Sequence, residues 1–242
     1  MPYMLFALAA FIGGIVQGTT GFGAGVISML VLPYLLPLPE AAGVSGAIAI
    51  WICGMIFYRY RQHVNWSNIW VIVAVYIMAS LTAIQMAPRL NTTSLKLAFG
   101  VFLIVLALYF LLVKDNLVIT PNLMTKVIVG GLSGLSDGFF GIGGPLMVVL
   151  YLAFSKSREE YLATLQLSFV LVSAVNLVLR LQQGILDSSH LPFIVLGLLA
   201  MTGGLQIAHR LNERLNPNHL RQATYWLIAC SGILTVVTTL WN

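Results

Sequence analysis

The 242-residue chain alternates long apolar blocks with short polar ones. Clean apolar helices are predicted over residues 41–58, 68–87 and 94–113, and again over 160–182, 191–208 and 219–241. Each is near the ~20 residues that a bilayer span needs. A longer apolar stretch precedes each trio, over 3–38 and 122–154, and both stretches are interrupted by glycine. As one straight helix the first would be roughly 54 Å long, against a hydrocarbon core of about 30 Å. It holds Gly13, Gly14, Gly18, Gly21, Gly23 and Gly25, followed by Pro33, Pro37 and Pro39. Glycine permits the positive φ needed to turn the chain, and proline removes a helix hydrogen bond. The pattern predicts a pair of helices bent at the glycines, or a re-entrant hairpin. The fold class expected is an all-α polytopic membrane protein.

The pattern occurs twice. GIVQGTTGFGAG begins at Gly14 and GLSDGFFGIGGP at Gly134, so Gly14, Gly18, Gly21 and Gly23 fall on Gly134, Gly138, Gly141 and Gly143 at an offset of 120. Glu40 meets Glu160 at the same offset. With one residue of drift, YRYRQ (58–62) meets LRLQQ (179–183), and QMAPRL (85–90) meets QIAHRL (206–211). Ordered matches with small drift point to an internal duplication, 1–116 and 117–242, within one integral membrane domain. Duplicated hydrophobic units are a common construction of secondary transporters.

Composition agrees. Charged residues are 8% and apolar residues 59%, with a mean hydropathy of +0.94; a soluble domain carries about a quarter charged residues. The formal charge of +5 sits in short loops between apolar blocks, where it sets orientation and touches lipid headgroups rather than nucleic acid. If each glycine-broken stretch crosses once, the halves run parallel and the cations divide seven against five. If each stretch goes in and comes back, the halves are inverted. Arg59, Arg61, Lys114, Lys126, Lys156, Arg158, Arg210, Arg214 and Arg221 then share one side, against Arg89, Lys96 and Arg180. Nine against three is the clearer positive-inside signal and favours inverted repeats with both termini outside. Cys53 and Cys230 lie inside apolar blocks and read as buried thiols. The first apolar segment has no basic residue before it and reads as retained rather than cleaved.

Glycine-broken membrane helices leave backbone groups that need partners in protein, water or ligand. The half-helix after a break presents N–H groups and a positive dipole end, which suit an anion. Gln17, Thr19 and Thr20 stand beside the first break, and Ser133, Ser136 and Asp137 beside the second. The expectation is that the breaks meet near the midplane and bind an anion through Gln17, Gly18, Thr19, Thr20, Gly21, Phe22 and Gly23, with Ser136, Asp137, Gly138, Phe139, Gly141, Gly143 and Gly144 opposite. The plainer alternative is that the glycines only allow close helix packing.

Asp137 is the one carboxylate well inside an apolar stretch. It suits proton coupling or the orienting of a neighbouring N–H, or else it caps the following half-helix. Its counterpart is Gln17, so a carboxylate role is not symmetric. Gln85 and Gln206 are matched amides that either line the cavity or bond between helices. Asn176 is a lone amide in an apolar helix. Arg59 and Arg180 close matched helices, where they either snorkel as edge anchors or draw anions toward opposite entrances. Glu40 and Glu160 open helices as capping residues. His63, His190, His209 and His219 fall at helix ends without ligand spacing, so neither a metal site nor a cofactor is expected.

The stretches GGIVQGTTGFGAG and GGLSGLSDGFFGIGGP, with the duplicated layout, resemble the sulfite exporter TauE/SafE family of small bacterial membrane proteins. That family carries a glycine-rich break in each half. The second copy here keeps Gly143 and Gly144, while the first has Gly23-Ala24-Gly25, a mild departure. The resemblance implies a multi-pass protein of the bacterial inner membrane. It also implies transport of a sulfur-containing anion such as sulfite, thiosulfate or an organosulfonate, in either direction, without an enzymatic step. Two other readings compete. GLSG at 131–134 is the short serine motif of rhomboid intramembrane proteases, but every histidine lies at a helix end. A membrane scaffold would explain the glycines as packing and leave Asp137 and the repeated polar pairs without a purpose.

Overall fold

A computed structural model describes residues 2–112, 122–211 and 217–241, and all its regular elements are helical. The ten α-helices among the described residues are α1 (Pro2–Thr20), α2 (Ala24–Met29), α3 (Leu38–Tyr60), α4 (Trp66–Met86), α5 (Thr92–Leu112), α6 (Leu123–Phe140), α7 (Gly144–Phe154), α8 (Arg158–Gln182), α9 (Leu191–Leu211) and α10 (Pro217–Trp241). Among the described residues seven of them are long and apolar enough to cross a membrane: α1, α3, α4, α5, α8, α9 and α10. The chain is an all-α polytopic membrane protein. Large apolar side chains such as Leu8, Met78, Leu112, Leu199 and Leu240 cover its outside, as a lipid solvent permits and water does not.

The predicted trios appear with ends shifted by a few residues. Each glycine-broken stretch resolves into two helices joined by a three-residue turn, Gly21–Gly23 between α1 and α2 and Gly141–Gly143 between α6 and α7. Gly21, Gly23 and Gly141 take φ of +83°, +111° and +66°, which only glycine adopts without strain.

The four most extensive helix interfaces are α1 on α9, α4 on α6, α3 on α8 and α5 on α10. Helix directions follow from which residues meet. Tyr3 lies against Phe193 with ring centroids 4.8 Å apart, and Gly18 packs on Ala208, so α1 and α9 run parallel. Gly130 packs on Ile72 and Gly138 on Ala83, so α6 and α4 run parallel as well. The start of α3 meets the end of α8 through Pro39 and Arg180, while Asn65, just after α3, bonds Glu160 and Thr164 at the start of α8. These two helices are therefore antiparallel. Gly100 against Val236, with Phe110 stacked on Tyr225 at 4.6 Å, makes α5 and α10 antiparallel too.

Glycine lets the parallel pairs approach closely. A Cβ on Gly14 would lie 2.2 Å from the Met201 carbonyl oxygen, and one on Gly134 would lie 2.4 Å from that of Tyr76. The two contacts share one register, since Gly134 follows Gly14 by 120 positions and Met201 follows Tyr76 by 125. The same pair of offsets recurs at the polar ends. Glu40 meets His190 at 3.0 Å, and Glu160 accepts from Asn65 at 2.6 Å. The packing thus aligns α4 with α9 at 125 positions, not the 121 that the QMAPRL and QIAHRL segments suggest. Gln85 and Gln206 are accordingly not equivalent, and both are exposed on the outer surface of the bundle. Glu160 accepts from Lys156 N ahead of its own helix, whereas Glu40 makes no such capping bond among the described residues; both tie their helix to a loop in the other half of the chain.

Candidate functional site

The end of α1 leaves carbonyls without helical partners, and the first N–H groups of α2 are likewise orphaned. Gln17 serves both sets. Its Nε2 donates to Gly21 O and to Gln166 Oε1, both at 3.1 Å, and its Oε1 accepts from Ala24 N at 3.1 Å. Gln166, deep in α8, donates from Nε2 to Gly21 O at 2.5 Å. Tyr161 Oη and Arg158 Nη2 donate to the Thr20 and Thr19 carbonyls, each at 3.3 Å. The carbonyls of Thr19, Thr20 and Gly21 and the first N–H of α2 thus find neutral or peripheral partners.

The second turn is built differently. Asp137, the counterpart of Gln17, accepts from Asn176 Nδ2 at 2.8 Å, and Asn176 Oδ1 accepts from Ser80 Oγ at 2.8 Å. No side chain caps α7. Gly143 has an ordinary negative φ of −102° and is needed for space, because a Cβ there would collide with the Tyr76 hydroxyl. Arg180 donates from Nη2 to the orphaned Gly138 O at 2.9 Å and from Nη1 to Pro39 O at 2.8 Å.

Between the two turns, halfway along α3 and α8, lies a cavity of about 60 Å³. Its walls pair residues 120 positions apart: Gln17 with Asp137, Phe22 with Ile142, Gly23 with Gly143, Ala24 with Gly144, Ala49 with Phe169, Ile52 with Val172 and Cys53 with Ser173. The start of α2 approaches the second turn directly, since a Cβ on Gly25 would stand 3.4 Å from Gly141 O.

Of the residues anticipated from the sequence, Gln17, Phe22, Gly23, Asp137, Gly141, Gly143 and Gly144 line this cavity. The others are placed elsewhere. Thr19 and Thr20 turn their hydroxyls back onto α1, donating to Val16 O at 3.0 and 2.8 Å. Ser136 does the same to Ser133 O at 3.0 Å. Gly18 and Gly138 are packing glycines against α9 and α4, Gly21 packs on Leu162 and Tyr161, and Phe139 lies tilted beside Phe140. Arg59 and Arg180 do not form an entrance pair. Arg59 is exposed beside Tyr60, whereas Arg180 is buried, drawn inward by the carbonyls that α6 leaves at its end. Ser133 is buried and its hydroxyl has no partner. His190 is committed to Glu40 and Asp187, each at 3.0 Å.

Gln166, Ser80, Tyr76, Cys53 and Ser173 escape sequence reading. Each is a scattered polar side chain in an apolar helix, and only Gln166, in the run TLQLSF, carries a sign of its role.

A bundle of membrane-crossing helices around a central cavity, with two interrupted helices meeting in it, has the build of a membrane transporter. The chain belongs to the sulfite exporter TauE/SafE family, whose model matches residues 6–235. It is similar to a probable membrane transporter protein of Methanocaldococcus jannaschii, 21% identical over 260 residues that cover 96% of this chain and 95% of the relative. It is also similar to a probable membrane transporter protein of Xylella fastidiosa strain Temecula1, 24% identical over 248 residues, 95% of this chain and 94% of that one. No solved structure matches the chain. The protein is a multi-pass membrane transporter, not an enzyme.

Proposed function

We propose that the protein is a secondary transporter of a small sulfur-containing anion such as sulfite, thiosulfate or an organosulfonate, which binds in the central cavity between the two glycine turns. One observation carries the reading: both interrupted helices contribute residues 120 positions apart to one cavity midway through the bundle. The anion preference is supported on the α7 side. This helix begins at the cavity with two glycines and no capping side chain, so its positive end is available to a ligand. On the α2 side, Gln17 already occupies the first N–H. The sulfur chemistry rests on family membership.

Two substitutions separate transport from folding. At Gly144 a Cβ would meet the Phe169 ring at 3.5 Å and Phe22 Cβ at 3.9 Å, both ordinary contacts. Gly144→Ala is expected to fold and melt like the parent yet lower thiosulfate or sulfite flux in proteoliposomes by about tenfold, a barrier change of about 1.4 kcal/mol. Gly54→Ala, where a Cβ meets nothing within 4 Å, is the matched control. Equal flux in the parent and Gly144→Ala would place the binding site elsewhere.

The halves are best read as inverted repeats in the bacterial inner membrane. The antiparallel α3–α8 and α5–α10 pairs support this, since a two-fold axis relating such helices lies in the membrane plane. On these helix directions Arg59, Arg61, Lys126, Lys156, Arg158 and Arg210 gather at one end of the bundle, and Arg89 and Lys96 at the other. The positive-inside rule makes the crowded end cytoplasmic. Lys114 and Arg214 lie outside the described residues. Reporter fusions at residues 63 and 185 are expected to land on opposite sides of the membrane; the same side for both would refute the inversion.

A further inference from the structure

Arg180 is only 3% exposed, yet no carboxylate lies within 4.0 Å of it; the ion pairs at that distance among the described residues are those of His190. A buried guanidinium without a close counterion is costly. Its two described bonds go to carbonyls, which use two of the five N–H donors. Arg180, Asn176, Asp137 and Ser173 line a second, polar cavity of about 10 Å³, closed by Ala42, Gly43 and Gly46. Asp137 and Ser173 also line the central cavity, so these two residues are the wall between the chambers.

We propose that this second chamber is an anion site on the transport path, in which the Arg180 guanidinium receives the oxyanion head of the substrate and the Asp137 carboxylate competes for the same cation. The proposal rests on the reading that the central cavity carries an anion. The ligand class follows from the fork of the guanidinium, which binds two oxygens of a sulfite, thiosulfate or sulfonate group at once and gains nothing of that kind from a halide. At about 10 Å³ the chamber has room for about one water. A bound oxyanion therefore requires the start of α3 and the end of α6 to part. Arg180 bonds both segments, through Pro39 and Gly138, and is the clasp between them. An incoming oxyanion replaces these carbonyls as the partner of the guanidinium, which ties binding to opening.

Asp137 shares the chamber with Arg180, so its carboxylate repels an incoming anion and holds part of the cation's field, and an amide in its place does neither.

The test is calorimetric titration of the purified full chain with thiosulfate, which is a dianion at neutrality. Asp137→Asn is expected to bind about tenfold tighter than the wild type. Arg180→Lys keeps the charge and loses the fork, and is expected to weaken thiosulfate binding by about tenfold or more. Size-exclusion profiles and melting temperatures establish that each variant is folded. Wild-type affinity in folded Arg180→Lys, or binding by Asp137→Asn no tighter than the wild type, overturns the proposal. A wild type that binds none of thiosulfate, sulfite or sulfonate removes the transport reading itself, and this site with it.

Discussion

Gly14→Ala and Gly204→Ala are each expected to abolish most of the folded protein, although each adds a single methyl group. The Gly14 Cβ would stand 2.2 Å from Met201 O and the Gly204 Cβ 2.0 Å from Phe11 O. Both obstacles are helix backbone, which cannot rotate away as a side chain does. The helices must separate, and the interface between α1 and α9 loses its packing along its length. Overpacking in a core costs about 1–3 kcal/mol and sometimes more, and a clash with backbone belongs at or above the top of that range. In a membrane no hydrophobic drive between helices offsets the loss, because lipid tails solvate the separated surfaces as well as a neighbouring helix does. Gly134→Ala, with its Cβ 2.4 Å from Tyr76 O, is expected to do the same at the interface between α6 and α4. Fluorescence-detected size exclusion of heated samples measures the effect. Parent-like melting of Gly14→Ala would show that the helices are not packed at this distance.

Replacement of Gln17 by leucine is the second large effect, and it acts on polar groups rather than on space. Leucine approximates the volume but strands Ala24 N and Gln166 Oε1, and it halves the donors to Gly21 O. Each unsatisfied buried group costs about 1–3 kcal/mol, so Gln17→Leu is expected to lose roughly 2–5 kcal/mol and, with the first turn misplaced, nearly all transport. Gln166→Leu leaves Gly21 O bonded to Gln17 and Ala24 N bonded as before, so its loss is smaller. The double variant is expected to lose less than the sum of the two, because both side chains serve one turn. Additive losses in thermal melts, or a milder effect from Gln17→Leu than from Gln166→Leu, would contradict the central place of Gln17.

Much of this was open to reading along the chain. Hydropathy placed the long helices within a few residues, because in lipid a helix satisfies its own backbone and composition alone marks its extent. The glycine turns were equally legible at Gly21, Gly23 and Gly141, where a positive φ excludes other residues. Site residues were legible only in part. Gln17 and Asp137 stood out as polar groups beside the breaks and do line the cavity. Thr19, Thr20 and Ser136 stood out for the same reason, but a hydroxyl in a helix can bond the carbonyl a turn earlier, and theirs do.

The two-copy hydrophobic pattern is thus a property of the linear chain, as are the membrane class and the position of each glycine turn, because local backbone freedom and transfer to lipid govern all three. The register between copies is not. A one-dimensional match set Gln85 beside Gln206, whereas the glycine contacts and the Glu40 and Glu160 bonds align α4 and α9 four residues further along. The place of Arg180 was equally out of reach. Its neighbours on α8 mark a helix end at the membrane edge, and only the orphaned carbonyl at the end of α6 and the Pro39 carbonyl at the start of α3, brought there by packing, draw it inside. A buried charge follows its partners, and partners from other helices are a matter of three dimensions.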